Sequence, residues 1–318
     1  MGQLIKLQDY VSRYEQDIYR YPTQYVHLKK QQWAKVNEAF RMGLLHEVDE
    51  EVKEDEWIPE KEGLLKRIKN RFQKKEEVVA KEEKMEKPSH ELFHLTLSTI
   101  PKNIEDLKRS FLDELFLFQM KWATSTLREK SFGDYSYYKD EQLKFLLQRF
   151  PDTFLLMYKP IFQVKKASIE AEIILLTPTD AWCITFLEKE DDAVFVGSEE
   201  KFWLMRHHQE EEKKLLNPCI GLQRTEWVMK QIFSLYDVEL PIKKAVISRN
   251  GYLDANGLYD CVLLDKRSFP AWFQAMRKLS SPLKRQQIKA SEALLAYSLT
   301  TSTIRIGWDD LLEEQDGG

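Results

Sequence analysis

Three acidic residues, Glu170, Glu172 and Glu188, flank the stretch of this chain where carboxylates are best placed to do chemistry. Between them run Ile173-Ile174-Leu175-Leu176, then Thr177-Pro178-Thr179-Asp180, then Ala181-Trp182-Cys183-Ile184-Thr185-Phe186-Leu187. Two apolar runs around a turn cluster predict a buried β-hairpin. Antiparallel strands set their open ends side by side. Glu172, where the hairpin is entered, and Glu188, where it is left, are therefore expected about 4–5 Å apart, a spacing at which paired carboxylates can hold a divalent metal. The plainer reading of acidic residues at strand ends is a solvated surface position.

The elements around this hairpin must supply its setting. A length of 318 residues suggests about two domains, and a hydrophobic share of 43% allows real cores. With 48 Lys+Arg against 52 Asp+Glu the formal net charge is -4, so any electrostatic partner is read by a local patch rather than by the whole molecule. Cys183, Cys219 and Cys261 are far apart in sequence and form no Cys-x-x-Cys, which predicts reduced core thiols rather than a zinc site or disulfide framework. The opening residues form no signal peptide, and no apolar run reaches the length of a membrane span, so the expected compartment is the cytoplasm.

Residues 1–44 carry apolar and aromatic positions at helical spacing, interrupted at Pro22, and predict an N-terminal helical hairpin. Residues 45–87 read as a charged linker around a basic amphipathic helix at 63–75, whose apolar stripe is Leu64, Leu65, Ile68 and Phe72. A short strand at Phe93 to Leu97 and a long helix from Pro101 to about Arg128 fill residues 88–134. From residue 135 the order is a helix at Asp140 to Phe150, strands at Phe154 to Tyr158 and Ile161 to Val164, the hairpin, and further alternating strands and helices. That order predicts an α+β (α/β-like) domain over 135–318, with a mixed central β-sheet flanked by helices.

The ordered set of Glu141 in the first helix, Tyr158-Lys159-Pro160, Glu172 before the Thr177-Pro178-Thr179 turn, Trp203, and Asn217-Pro218 followed by Gln223 resembles the nuclease-related domain (NERD) family over residues 135 to 265. Those domains are similar to PD-(D/E)xK nucleases. The resemblance implies a restriction-endonuclease-like core in which a helix Glu, an acidic residue opening the first hairpin strand and a Glu-x-Lys on the second assemble around Mg²⁺. Glu141 matches the helix position, and Glu172 stands where the family usually has Asp. On the second strand an ungapped turn puts Thr185 and Leu187 at the Glu and Lys positions. A longer turn brings in Glu188, but Lys189 then follows at once, and successive strand residues face opposite ways unless a bulge intervenes.

Three functions follow as expectations. The first is a nuclease-like fold without its metal site and without cofactor, binding DNA or another protein. The second is an active Mg²⁺-dependent nuclease using Glu141, Glu172, Glu188 and Lys189, with Glu172 and Glu188 as metal ligands. The third is a peripheral membrane protein that touches an anionic surface through residues 63–75.

Overall fold

The computed structural model of the chain describes residues 1–43, 45, 101–164, 166–207, 211–255, 260–279 and 281–305. The basic helix expected at 63–75 and the strand expected at Phe93 to Leu97 lie outside the described residues. The chain divides into two compact units, Met1–Trp33 with Leu112–Gly318, and Ala34–Phe111. The sheets and the candidate site belong to the first.

The chain opens not with a helix but with strand β1 (Gln3–Leu7), buried at all five positions. Its alternation is hidden in the sequence because Gln3 and Lys6 are buried as deeply as the leucines. Each has found partners, as buried polar groups must. Gln3 Nε2 donates to Asp152 O at 2.6 Å, and Lys6 Nζ pairs with Glu15 and donates to Thr300 Oγ1 at 2.7 Å. A 3-10 turn at Arg13–Glu15 separates β1 from helix α1 (Tyr21–Arg41), so the second of the two expected N-terminal helices is present and the first is not. Helix α2 (Ile104–Trp122) stops short of Arg128, where Thr124 Oγ1 and Ser125 Oγ turn back onto the Met120 and Lys121 carbonyls.

Strand β2 (Glu129–Lys130) then leads to helix α3 (Glu141–Arg149), strand β3 (Leu155–Tyr158), the paired strands β4 (Ile161–Val164) and β5 (Ala167–Glu170), and the hairpin β6 (Ile173–Leu176) and β7 (Ala181–Phe186). Strands β8 (Val194–Val196), β9 (Phe202–Arg206) and β10 (Lys213–Leu216) precede helix α4 (Pro218–Leu235). After it come β11 (Ile242–Ile247), β12 (Tyr252–Asp254), β13 (Val262–Leu264), helices α5 (Phe269–Arg277) and α6 (Arg285–Tyr297), and β14 (Thr303–Ile304).

The architecture is α+β. Its main sheet is mixed and six-stranded, in the order β1-β3-β6-β7-β11-β13. The strands β3, β6 and β7 are antiparallel, while β1 runs parallel to β3, and β11 and β13 continue parallel to β7. The hairpin occupies the centre as expected, in the register Ile173↔Ile184 to Leu176↔Ala181, and Thr177 Oγ1 closes its turn by accepting the Asp180 N–H at 3.0 Å. The strand expected at Ile161 to Val164 is present but stands outside the main sheet, forming a separate two-stranded sheet with β5. Lys159 in the left-handed region (φ 48) and Pro160 after it turn the chain out of the main sheet. A second sheet, β10-β9-β8-β12, includes the charged segment Lys213–Leu216, whose lysines conceal its strand character.

Alternation along β7 divides the core in two. Trp182 and Ile184 face α3 and join its Leu143, Leu146 and Leu147 in one cluster with Leu156, Tyr158 and Leu175. Cys183 faces the other way, its Sγ 3.4 Å from Met229 Sδ of α4. Among the described residues no helix is long and apolar enough to cross a membrane.

Candidate functional site

The residues singled out by chemistry converge on one end of the hairpin but not on one point. In the hairpin register the residue opposite Glu172 is Thr185, and the two share a face, the one toward α4. The Thr185 hydroxyl donates to the Glu172 carboxylate. The Glu172 backbone N–H donates to Thr225 Oγ1 at 2.8 Å, and that hydroxyl donates to Gly221 O at 2.9 Å. Gly221 lets α4 approach closely, since a Cβ there would overlap the Glu172 carboxylate. Burial pushes the Glu172 carboxyl above the usual carboxylate range, and Thr185 together with the nearby charges of Lys159 and Arg224 only partly oppose this.

Glu188 sits on the opposite face, toward α3. Its carboxylate takes both arms of the Arg249 guanidinium, Nε on Oε1 and Nη2 on Oε2 at 2.7 Å, and the Arg249 backbone N–H adds a bond of 3.2 Å. Gln142 Nε2 of α3 approaches Oε2 at 3.4 Å. Arg249 also stacks over Phe145 and Phe186, 4.3 and 5.4 Å from their ring centres. The side chains of Glu188 and Arg249 are 10% and 25% exposed. A bidentate, largely desolvated pair of this kind uses the carboxylate fully.

The expected pairing of Glu172 with Glu188 is therefore corrected: strand alternation sends them to opposite faces of the sheet. Glu141 is exposed at the start of α3, and Lys189 is exposed beyond β7. Among the described residues no three His, Cys, Asp or Glu side chains are grouped to hold a metal ion. The donors of the expected site, one half-buried carboxylate beside a threonine and a second carboxylate held by arginine, do not fit a bridging Mg²⁺.

Other residues that looked functional serve the frame. Trp203 is fully buried and donates to Ser198 O at 3.2 Å. Asn217 caps α4 by accepting the Cys219 N–H at 3.0 Å while its Nδ2 donates to Glu200 O at 3.0 Å, tying the helix to the second sheet. Gln223 is exposed. Sequence reasoning missed Asp140, whose carboxylate caps α3 through the Gln142 and Leu143 N–H groups and accepts the Tyr158 hydroxyl at 2.6 Å. An Asp directly before a periodic helix is a capping signal that finds it. Arg249 carried no such signal, since it stands in a polar loop and meets Glu188 only through the fold.

The raised Glu172 carboxyl has a testable consequence. A carboxylate whose ionisation is harder in the folded state loses stability as pH rises from the ordinary carboxylate value through the raised one. Glu172→Gln is thus expected to be more stable than the natural protein at pH 7 and equal to it below about pH 4, where both states bind the proton. Urea midpoints at the two pH values check this; a variant less stable at pH 7 shows that the charge is favourably held.

Comparison with known proteins adds one likeness. No protein-family model matches the chain, and no solved structure matches it. Residues of this chain are 32% identical over 121 positions to an RNA 2′,3′-cyclic phosphodiesterase of Geobacillus stearothermophilus, a match that covers 37% of this chain and 36% of that protein.

Proposed function

We propose that this chain is a nuclease-related, PD-(D/E)xK-like domain protein that has lost metal-dependent cleavage and works in the cytoplasm as a binding module for nucleic acid. One observation carries the reading: the hairpin end that needs two carboxylates and a lysine on one face has Glu172 opposite Thr185, while Glu188 is bound to Arg249 on the other face. The mixed central sheet with α3 and α4 packed beside the β6-β7 hairpin agrees with the helix-flanked mixed sheet that the resemblance implies. Fold alone does not carry activity, which resides in the site. A single carboxylate gives a hard cation too little charge and leaves no ammonium to orient the attacking water.

The likeness to an RNA 2′,3′-cyclic phosphodiesterase favours RNA over DNA as the ligand. It also supports a second reading, in which the chain itself opens a 2′,3′-cyclic phosphate. The full chain, incubated with labelled single- and double-stranded RNA and DNA with and without Mg²⁺ or Mn²⁺, separates these. Binding measured by anisotropy is expected to prefer RNA and to be unchanged in Glu172→Gln, with no metal-dependent cleavage above background. Cleavage that Glu172→Gln abolishes while the protein stays folded makes it a nuclease. Conversion of a 2′,3′-cyclic phosphate end to a monophosphate supports the second reading, and absence of any binding refutes the first.

A further inference from the structure

Two of the cysteines that are remote in sequence meet in the fold. Cys219 Sγ and Cys261 Sγ lie 3.4 Å apart, joining the second residue of α4 to the residue before β13. Both are free thiols, Cys219 buried and Cys261 partly exposed. The third thiol, Cys183, is buried against Met229 on α4 and takes no part.

We propose that Cys219 and Cys261 form a dithiol–disulfide couple, a covalent modification site that low-molecular-weight disulfides oxidise to an intramolecular bridge between α4 and β13. A disulfide has its sulfurs about 2.05 Å apart, so about 1.4 Å remains to be closed. The backbone of Cys219 is held by its N–H bond to Asn217, which leaves the partly exposed Cys261 as the sulfur an external disulfide can reach.

Exposure assigns the two sulfurs different parts. The thiols share one hydrogen bond in which either sulfur can donate, so loss of a proton from one leaves a thiolate that the other's S–H stabilises, and the partly exposed Cys261 is the one that meets an external disulfide. The Lys244 ammonium, flanked by Glu226 and by Asp260 at 3.4 Å, favours the thiolate at both. Thiolate is the attacking species in exchange. Cys261 thiolate attacks one sulfur of the small disulfide, forming a mixed disulfide and releasing one thiolate. Cys219 then loses its proton and attacks the Cys261 sulfur, forming the internal bond and expelling the second. Two electrons pass from the protein thiols to the small disulfide, which leaves as two thiols carrying the two protons. The second step is intramolecular between sulfurs already in contact, so the mixed disulfide does not accumulate.

The test uses the folded full chain, fully reduced and then equilibrated with oxidised glutathione, quenched by alkylation, and mapped by mass spectrometry. The expected result is the loss of two of the three alkylatable thiols, a linked pair of peptides containing Cys219 and Cys261, and recovery of both thiols with dithiothreitol. Cys183→Ser should leave that result unchanged, and Cys261→Ser should abolish the bridge. Both thiols remaining free, glutathione adducts as the end product, a bridge that includes Cys183, or bridges only between chains would each overturn the proposal. Should Cys261→Ser not fold, the peptide maps of the natural chain and of Cys183→Ser decide it.

Discussion

Replacing Arg249 by Ala is expected to destabilise the protein by about 3 kcal/mol, near the lower end of the range for removing one partner of a buried ion pair. Most of that loss comes from the carboxylate left behind. Glu188 is largely shielded from water, and without the guanidinium it keeps only the backbone N–H of residue 249 and the long contact from Gln142. The stacking of Arg249 over Phe145 and Phe186 is lost as well. Adding Glu188→Gln should recover part of the stability, because it removes the stranded charge, whereas Arg249→Lys should remain impaired for want of a fork that grips both oxygens. Chemical denaturation of the three variants tests the pair. A loss below about 0.5 kcal/mol for Arg249→Ala, the level of an ordinary surface change, would mean that Glu188 is not committed to structure and is available for other ligands.

A loss of about 2–5 kcal/mol is expected for Leu146→Ala, which opens a cavity where α3 meets the central strands. Leu143, Leu146 and Leu147 are all buried there, against a sheet face built from Leu156, Leu175, Trp182 and Ile184. The size of the effect depends on how far the surroundings can collapse, and this face is crowded with rings. Phe150 lies near Phe154, Trp272 and Phe273, and Trp182 meets Trp272 edge-on, which leaves little room to relax. Thermal or urea unfolding measures it, and a change under about 0.5 kcal/mol would contradict the packing of α3 on the hairpin.

The hairpin end holds its shape without a metal ion. Sheet, hairpin and flanking helices are held by apolar burial and by caps such as Asp140 and Asn217, none of which depends on a metal ion. Thr185 opposite Glu172 and Arg249 on Glu188 are both compatible with a stable sheet end: Thr185 supplies no second carboxylate beside Glu172, and Arg249 neutralises Glu188.

The sequence by itself determined the local pieces. The Thr177-Pro178-Thr179-Asp180 turn, the apolar runs on either side and the helix at 141–149 depend on residues within a few positions of one another, so periodicity and turn chemistry suffice to place them. The pairing of Glu172 was expected with Glu188, whereas the register that runs outward from this turn puts Thr185 opposite it. Tertiary structure alone decided the rest, wherever the contact spans many residues. Strand β1 reads as helical because its polar Gln3 and Lys6 are buried through hydrogen bonds to the Asp152 carbonyl and to Glu15 and Thr300, partners that no local pattern reveals. Glu188 resembled a metal ligand until folding delivered Arg249 from the far side of β11. Cys219 and Cys261 looked like separate core thiols until α4 and β13 were laid side by side. In each case the side chain's environment is supplied by a strand or loop distant in the chain, and a residue's chemistry depends on that environment as much as on its type.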